Sequence, residues 1–446
     1  MIPRFYQKYK AEIHWSILAV VCALEFGLIS WWRPGKEADA NLIQSSLLFL
    51  SGMGVGIWAV RRSFLASRNT IKGRQKFIPL SMLWFIFPVL SLIILLPLLF
   101  PLFEKYAVSP QHSDIIPQIE VMARRFLNGE FPYAPIHDFG YELRSPYMPF
   151  HWGPFIVPES LGFDERWWVL SLWLVVYGIF TYFCIRRVKS IFPRFILIVL
   201  PGLFVYSLLR TNFVIFTHTV EVLILAYYVL LLIALFSENI WFIGTALICC
   251  LLSRYSLLFW APLPFFILLV QKDYRKLGKL LALVVGGILL LYVIPFLSKD
   301  WTMPIQGLEH HAIVSLKNWT FEPWFGPNGK PGALYRGTGL AAFFFEYWPG
   351  DAKTQMSVVQ NIQLFASALL LALFSLIYYR NHQRIQNTFY LMGSLKVMLV
   401  FFYSFLALPI DYYFIVPVFI SLGILLYQGS QIKKEKTSFP QDQVLS

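Results

Sequence analysis

Apolar stretches long enough to cross a bilayer recur along this chain, and they restrict its fold more than any other feature. A transmembrane helix needs roughly 20 predominantly apolar residues. Because 57% of the residues are hydrophobic and only 14% are charged, a soluble domain is excluded. The sequence predicts an all-α polytopic membrane protein with about 12 transmembrane helices. The windows are 13–32, 42–60, 77–102, 166–185, 194–209, 213–236, 240–252, 255–270, 279–297, 357–379, 386–408 and 410–428.

The windows at 194–209 and 240–270 are the least regular part of this pattern. The polar pair Ser253 and Arg254 interrupts residues 240–270. If this region formed one long kinked helix instead of two spans, every downstream loop would change sides of the membrane.

The positive charge of the chain is concentrated in short loops between the windows. The formal net charge is +13 at pH 7, which by itself would also suit a nucleic-acid-binding protein. Short cytoplasmic loops of membrane proteins are enriched in Lys and Arg, so the charge requires no nucleic-acid partner. The residues that carry the pattern are Arg61, Arg62, Arg68, Lys72, Arg74, Lys76, Arg186, Arg187, Lys189, Arg194, Lys272, Arg275, Lys276 and Lys279.

This charge pattern also predicts an orientation. The N-terminus, which carries Arg4, Lys8 and Lys10, and the tail sequence QIKKEK lie in the cytoplasm. The long segments 103–165 and 298–356 then face outward. We expect a multi-pass protein of a bacterial inner (plasma) membrane, with both termini cytoplasmic, that acts as a monomer.

The chain divides into five regions on these grounds. They are an N-terminal transmembrane hairpin with a basic cytoplasmic loop (1–76), a transmembrane module that includes external loop 103–165 (77–297), a second external loop (298–356), C-terminal transmembrane helices (357–429) and a cytoplasmic tail (430–446).

The segment SDIIPQIEVMARRFLNGEFPY begins the first external loop and has an amphipathic pattern. Pro117 suits the first turn of a helix, apolar residues follow at helical spacing, and Gly129 offers a C-terminal stop. We expect the apolar side of this helix to lie in the membrane interface while Arg124 and Arg125 reach lipid headgroups. Asp114, just ahead of the helix, is either its N-cap or a carboxylate held rigidly at the membrane surface.

The rest of this loop is rich in proline and tyrosine. Pro132 and Tyr133 follow Gly129, and Pro146-Tyr147-Met148-Pro149 precedes the next span. Together with Asp114, these residues resemble the GT-C superfamily of integral membrane glycosyltransferases. The nearest likeness is to glycosyltransferase family 87, the polyprenyl-phosphate-mannose-dependent mannosyltransferases.

The resemblance covers roughly residues 105–270. Downstream of the loop, Asn212 matches the family pattern, and Arg254 stands where that family has a Lys. The Gly-Gln pair that accompanies the Asn in the family is missing here.

The resemblance implies a GT-C-like bundle and an inverting sugar transfer, with Asp114 as the general base that takes the proton of the acceptor hydroxyl. Arginine binds phosphate in a fork geometry, imidazole hydrogen-bonds it, and tyrosine offers a stacking face. The residues expected to contact the donor phosphate or the sugar are Arg210, Arg254, Asn212, Arg144, His310, His311, Tyr133 and Tyr147.

The implied partners are a polyprenyl-phosphate donor of mannose or a similar hexose or pentose, a lipid or glycan acceptor, and membrane lipids. No cofactor is expected. Adjacent residues Glu309, His310 and His311 suggest a metal site only weakly, because neighbouring His side chains point in different directions on a helix and no third ligand follows at useful spacing.

Two other functions remain open. A secondary transporter of about twelve helices should bury ionisable groups at mid-span, and the sequence offers mainly His218 and Glu221, one helical turn apart. Asp411 is expected to mark a span boundary. A polymerase or ligase for lipid-linked glycans would also place polar loops on the outer side.

Overall fold

The computed structural model describes residues 2–30, 38–65, 83–322 and 329–437, which are mostly helical, with no β-strand among them. The longer helices are α1 (Ile2–Ser30), α2 (Ala38–Ser63), α3 (Leu83–Lys105), α4 (Ile115–Leu127), α5 (Glu165–Arg187), α6 (Ile191–Thr211), α7 (Glu221–Ser237), α8 (Ile240–Leu251), α9 (Pro262–Val270), α10 (Tyr274–Ile288), α11 (Met303–Thr320), α12 (Ala352–Asn381), α13 (Asn387–Ser404) and α14 (Ile415–Thr437). A π-helix, Leu289–Leu297, continues α10.

Within the described part of the chain, eight helical segments are long and apolar enough to cross a membrane, judged by length and composition. They correspond to α1, α2, α3, α5, α6, α10, α12 and α14. The chain is therefore a polytopic helical membrane protein. The other four predicted windows contain α7, α8, α9 and α13, so the number of about 12 spans stays a prediction. The predicted cytoplasmic loop residues Arg68, Lys72, Arg74 and Lys76 lie outside the described residues.

Two of the predicted spans are broken inside the bundle. The window 213–236 begins with a single turn, Val214–Thr217, and α7 starts only at Glu221. The region 240–270 consists of α8, the 3-10 turn Tyr255–Leu257 and α9, so the polar pair at 253–254 separates two short helices. Irregular backbone at membrane depth is tolerated only where protein or a polar cavity surrounds it, and both breaks are largely buried.

The N-terminal hairpin packs closely against the C-terminal helices. A Cβ atom on Gly393 of α13 would lie 2.9 Å from the Gly56 carbonyl oxygen and 2.8 Å from the Val60 nitrogen of α2. Gly52, one turn before Gly56, lies against the Val400 side chain of α13. Small residues four apart allow two membrane helices to approach at backbone distance, which explains the tight contact between α2 and α13.

A buried ion pair joins α1, α13 and α14. The Lys396 ammonium lies 2.8 Å from Glu25 Oε1 and donates a hydrogen bond of 2.8 Å to the Pro417 carbonyl. Ser421 donates to the other Glu25 oxygen at 2.6 Å. The expectation that ionisable groups inside the spans are mainly His218 and Glu221 is therefore wrong, because Glu25 and Lys396 are 0% and 1% exposed.

The loops between the spans gather at one end of the bundle, which we call the loop face: residues 106–164, 298–322, 329–351 and 405–410. Gly307 of α11 lies against Ser145 and Pro146 of the first loop, where a Cβ atom would come within 2.9 Å of the Pro146 Cα. Trp319 donates to the Ala407 carbonyl at 2.8 Å. The two predicted external loops thus form one packed layer.

Helix α4 confirms the predicted amphipathic helix, although it begins two residues before Pro117, and Gly129 adopts a φ of +74° after its end. The prediction that its apolar side lies in the membrane interface is wrong for most of that side, which is buried against the protein through Ile116, Ile119, Met122 and Ala123. Arg124 and Arg125 are also engaged: the former pairs with Glu159 at 2.8 Å, and the latter donates to the Pro135 carbonyl at 3.0 Å.

Candidate functional site

Asp114 occupies the N-cap position of α4 on the loop face, but its side chain makes no capping hydrogen bond. The carboxylate instead accepts a hydrogen bond of 3.0 Å from the Tyr141 hydroxyl. Burial and the charge of Asp114 raise the pKa of Tyr141 to about 12. Asp114 is therefore the N-cap residue by position, but capping by its side chain is wrong, and a phenol holds the carboxylate at the helix start.

The charges of Asp114 and of the predicted cation Arg254 both act on Tyr147. Burial, and then the charges of Asp114 and Tyr413, raise the pKa of Tyr147 well above its usual range, while Arg254 acts in the opposite direction. The ring stacks on His151 with 4.0 Å between centroids and an interplanar angle of 7°. The pKa of this half-buried phenol therefore depends on the charges of both Asp114 and Arg254.

Arg254 forms an ion pair with Glu221, and the two helix breaks create it. Arg254 follows α8 in extended conformation, with φ −152° and ψ 146°, and Glu221 is the first residue of α7. The guanidinium donates from Nη2 to Glu221 Oε1 and lies 4.5 Å from the Tyr413 ring centroid. The Arg254 side chain is 12% exposed and the Glu221 side chain is 4% exposed. The predicted phosphate-binding cation therefore has a counter-ion of its own.

His151 completes this part of the site as a neutral imidazole. Burial and the charge of Arg254 lower the pKa of His151 to about 3. Its Nδ1 lies 3.4 Å from the Ser253 carbonyl, which is consistent with a proton on Nδ1 and a lone pair on Nε2. We call Asp114, Tyr147, His151, Glu221 and Arg254 the loop-face site.

The second loop contributes to the same region. Arg144 pairs with Glu142 at 2.8 Å and donates to Gln306 of α11. His310 lies one turn after Gln306, and both Asp114 and Glu142 act on its imidazole; burial nevertheless keeps the pKa of His310 below its usual range. Arg144 therefore contacts the second loop, and the charge of Asp114 acts on His310; their contact with a donor phosphate or sugar stays a prediction.

Asn212 and Asp411 lie beside the site. Asn212 ends α6 and donates a hydrogen bond of 2.7 Å to Asp411 Oδ2. Asp411 precedes Tyr412 and Tyr413 at the start of the last candidate span, so its predicted boundary position is confirmed. Arg210, two residues before Asn212, is exposed at the end of α6.

Other predicted residues are not part of this group. Tyr133 is buried, accepts a hydrogen bond of 3.0 Å from Trp152 and packs on Phe296. His311 is exposed and contacts Ser315, 3.4 Å from its Nδ1. The suggested pairing of His218 with Glu221 is wrong: the His218 ring packs at 5.6 Å from that of His112, while Glu221 binds Arg254.

A second acidic group joins α4 to α5. Burial and then the charges of Glu165 and Glu159 raise the pKa of Glu120 from 4.5 to about 7. Glu159 in turn pairs with Arg124. This cluster ties the helix that carries Asp114 to a membrane span.

His151, Tyr403 and Tyr413 also belong to the surroundings of Arg254 and were not predicted from the sequence. Tyr413 stacks on Tyr403 with 5.6 Å between centroids, and both phenols surround the Arg254 guanidinium. The available signals were a His within the proline- and tyrosine-rich segment and a Tyr pair directly after Asp411. Among the described residues, no group of three or more His, Cys, Asp or Glu is arranged to hold a metal ion.

These features define a class: a polytopic helical membrane protein with a polar, aromatic site at the loop end of its bundle. No protein-family model, curated protein or solved structure matches the chain. The resemblance to glycosyltransferase family 87 therefore depends on the motif residues alone.

Proposed function

We propose that this protein is a GT-C-type membrane glycosyltransferase with about 12 transmembrane helices. It moves a sugar from a polyprenyl-phosphate donor to a lipid or glycan acceptor at the outer face of an inner membrane. The observation that supports this most is the environment of Asp114. Its carboxylate is not used as a helix cap but bonds to Tyr141, and the charges of Asp114 and Arg254 both act on the Tyr147 phenol.

In the proposed reaction, Asp114 takes the proton from the acceptor hydroxyl as its oxygen forms a bond to the anomeric carbon. The bond between that carbon and the phosphate oxygen breaks, the phosphate leaves with the electron pair, and the anomeric configuration inverts. The Tyr141 hydroxyl donates to the carboxylate at 3.0 Å, and this hydrogen bond restricts the rotamers of Asp114 while no acceptor is bound. A base on a fixed helix start is suited to this step because general base catalysis requires hydrogen-bond reach.

The leaving phosphate needs cations near the membrane boundary. Arg254 is poorly suited, because Glu221 already neutralises it. Arg144, with 38% of its side chain exposed, and the exposed Arg210 are better placed to meet a phosphate that arrives from the bilayer. His310 beside Asp114 offers a neutral hydrogen-bonding group at pH 7, given its lowered pKa.

The test is sugar transfer by purified protein in detergent, with radiolabelled polyprenyl-phosphate-mannose and a lipid extract. We expect product with the wild type and a loss of about a hundredfold or more with Asp114→Asn. Asp138→Asn, an exposed carboxylate in the same loop, is the matched control and should keep wild-type turnover. Equal turnover in Asp114→Asn would remove this carboxylate from the mechanism.

A secondary transporter is the second candidate, and the buried Glu25–Lys396 pair favours it, because charges inside membrane bundles often mark ion pathways. Uptake of substrate into vesicles without any glycosylated product would support this alternative. A ligase or polymerase of lipid-linked glycans would instead require a lipid-diphosphate donor in the transfer assay.

A further inference from the structure

We propose that Arg254, Glu221 and His151 form a recognition site for the hydroxyl groups of a neutral sugar. This inference deepens the proposed function, because it assigns the part of the loop-face site that holds sugar rather than phosphate. Its test measures binding and needs no turnover.

The first argument is a set of buried polar atoms that lack partners. Arg254 Nη1, Glu221 Oε2 and His151 Nε2 are buried, and none has a hydrogen-bond partner within the part of the chain that the structure describes. Buried polar groups are nearly always paired, since an unmade hydrogen bond is costly. Three such atoms on neighbouring residues indicate that a polar ligand satisfies them.

The second argument is the chemistry of the three atoms. Arg254 Nη1 is a donor, Glu221 Oε2 is an acceptor, and His151 Nε2 is an acceptor when Nδ1 donates to the Ser253 carbonyl at 3.4 Å. A hydroxyl group both donates and accepts, so adjacent hydroxyls on one sugar ring match this mixed set. A phosphate dianion accepts only and would meet two acceptors.

The third argument is net charge. Arg254 contributes +1, Glu221 contributes −1, and the low pKa of His151 keeps its imidazole neutral. The net charge of these three side chains is zero, which favours a neutral ligand over an anion. Three tyrosines pack around the group: Tyr147 stacks on His151, and Tyr413 lies between Tyr403 and the Arg254 guanidinium.

The proposed approach of the ligand is from the loop face beside Tyr147. Tyr147 is half-buried and Asp114 is partly exposed, and the charges of Asp114, Arg254 and Glu221 all act on Tyr147. Arg254 retains 12% side-chain exposure. In the proposed binding mode, the sugar enters beside Tyr147. Its anomeric carbon stays near Asp114, and the hydroxyl groups on the opposite side of the ring contact the ion pair.

The experiment is saturation-transfer NMR on the full-length protein in a detergent without a sugar head group. Methyl mannoside and methyl glucoside are the probes, and inorganic phosphate is the competitor. We expect saturation of at least one glycoside, no competition by phosphate, and affinity at least about tenfold weaker in Glu221→Gln, because hydrogen bonds to charged groups are the stronger ones. His151→Phe, which keeps the stack on Tyr147, should weaken binding by about fivefold.

Glu221→Gln leaves a buried guanidinium without its counter-ion, so this variant alone could fail to fold. The double variant Glu221→Gln/Arg254→Gln removes both charges and should fold yet lose binding, with folding checked by gel filtration and thermal unfolding. Glu346→Gln, which breaks the exposed pair with Lys330 on the same face, is the matched control and should bind as the wild type does.

Three results would overturn the inference. Absence of saturation in the wild type would indicate that Arg254 and Glu221 satisfy each other through two parallel hydrogen bonds and bind no sugar. Unchanged saturation in the double variant and in His151→Phe would place sugar binding elsewhere. Competition by phosphate would make this an anion site. Saturation without any sugar transfer would support this inference and contradict the proposed function. Sugar transfer without saturation would support the proposed function and contradict this inference.

Discussion

The buried Glu25–Lys396 pair makes a quantitative prediction about the stability of the bundle. Breaking a buried ion pair from one side leaves an uncompensated charge and costs about 3–5 kcal/mol. In Lys396→Met, the Glu25 carboxylate keeps only the Ser421 hydroxyl, 2.6 Å away, as a donor. We expect the upper half of that range, about 4–5 kcal/mol.

Glu25→Gln should cost less. The ammonium of Lys396 keeps the Pro417 carbonyl at 2.8 Å and gains a neutral amide oxygen as its second acceptor, so we expect about 3 kcal/mol. The double variant Glu25→Gln/Lys396→Met has no charge to desolvate. It should lie within about 1 kcal/mol of the wild type, as replaced buried pairs often do, and the two effects should be strongly non-additive.

The assay is unfolding of the purified protein in mixed detergent micelles with increasing dodecyl sulfate, followed by tryptophan fluorescence. The matched control is the Lys330–Glu346 pair on the loop face, where both side chains are 30% exposed, and Lys330→Met should cost less than about 1 kcal/mol. The reasoning would be refuted if both single variants at positions 25 and 396 stayed within about 1 kcal/mol of the wild type.

Three further predictions concern packing, titration and orientation. Gly393→Ala should lower the thermal midpoint, because its Cβ would meet backbone atoms at 2.8 and 2.9 Å, whereas Gly54→Ala, with nothing within 4 Å, should not. Burial and two neighbouring glutamates raise the pKa of Glu120 from 4.5 to about 7, so its contribution to stability is full below pH 4.5 and is lost as the pH rises through 7; thermal midpoints should fall over that interval in the wild type and vary less in Glu120→Gln. Cysteines introduced at the exposed positions Glu130 and Thr320 should react with an impermeant maleimide from outside intact cells, since the native cysteines are buried, and protection of both would reverse the orientation.

The polytopic class and helix α4 were predictable because both depend on local pattern. Hydrophobic length identifies a span, and Pro117 with Gly129 frames a helix whatever lies around it. What the helix packs against was not predictable, because an apolar stripe fits a lipid interface and a protein surface equally well. Burial of Ile119 and Met122 decided between these two environments.

The ion-pair partners of single charged residues were not predictable from the sequence either. Glu221 and Arg254 are 33 positions apart, and Glu25 and Lys396 are 371 apart. Their pairing depends on which helices become neighbours. The sequence nevertheless contained a usable signal, since a lone Lys or Glu within an apolar window is costly unless it has a partner. Lys396 in the window 386–408 is such a residue, and it indicates an internal pair within the bundle.

The two buried ion pairs differ in a way that separates scaffold from site. Lys396 and Glu25 lie on helices that run on past them, and the Pro417 carbonyl and Ser421 hydroxyl add to their pairing. Glu221 and Arg254 lie where helices begin and end, and their side chains retain 4% and 12% exposure, against 0% and 1% for Glu25 and Lys396. Irregular backbone inside a membrane protein is found where it is buried in protein or lines a cavity, and discontinuous helices form the substrate sites of many transporters. The interruptions at 212–220 and 252–261 are therefore the features of this bundle that build its site, and the uninterrupted helices around them hold it in place.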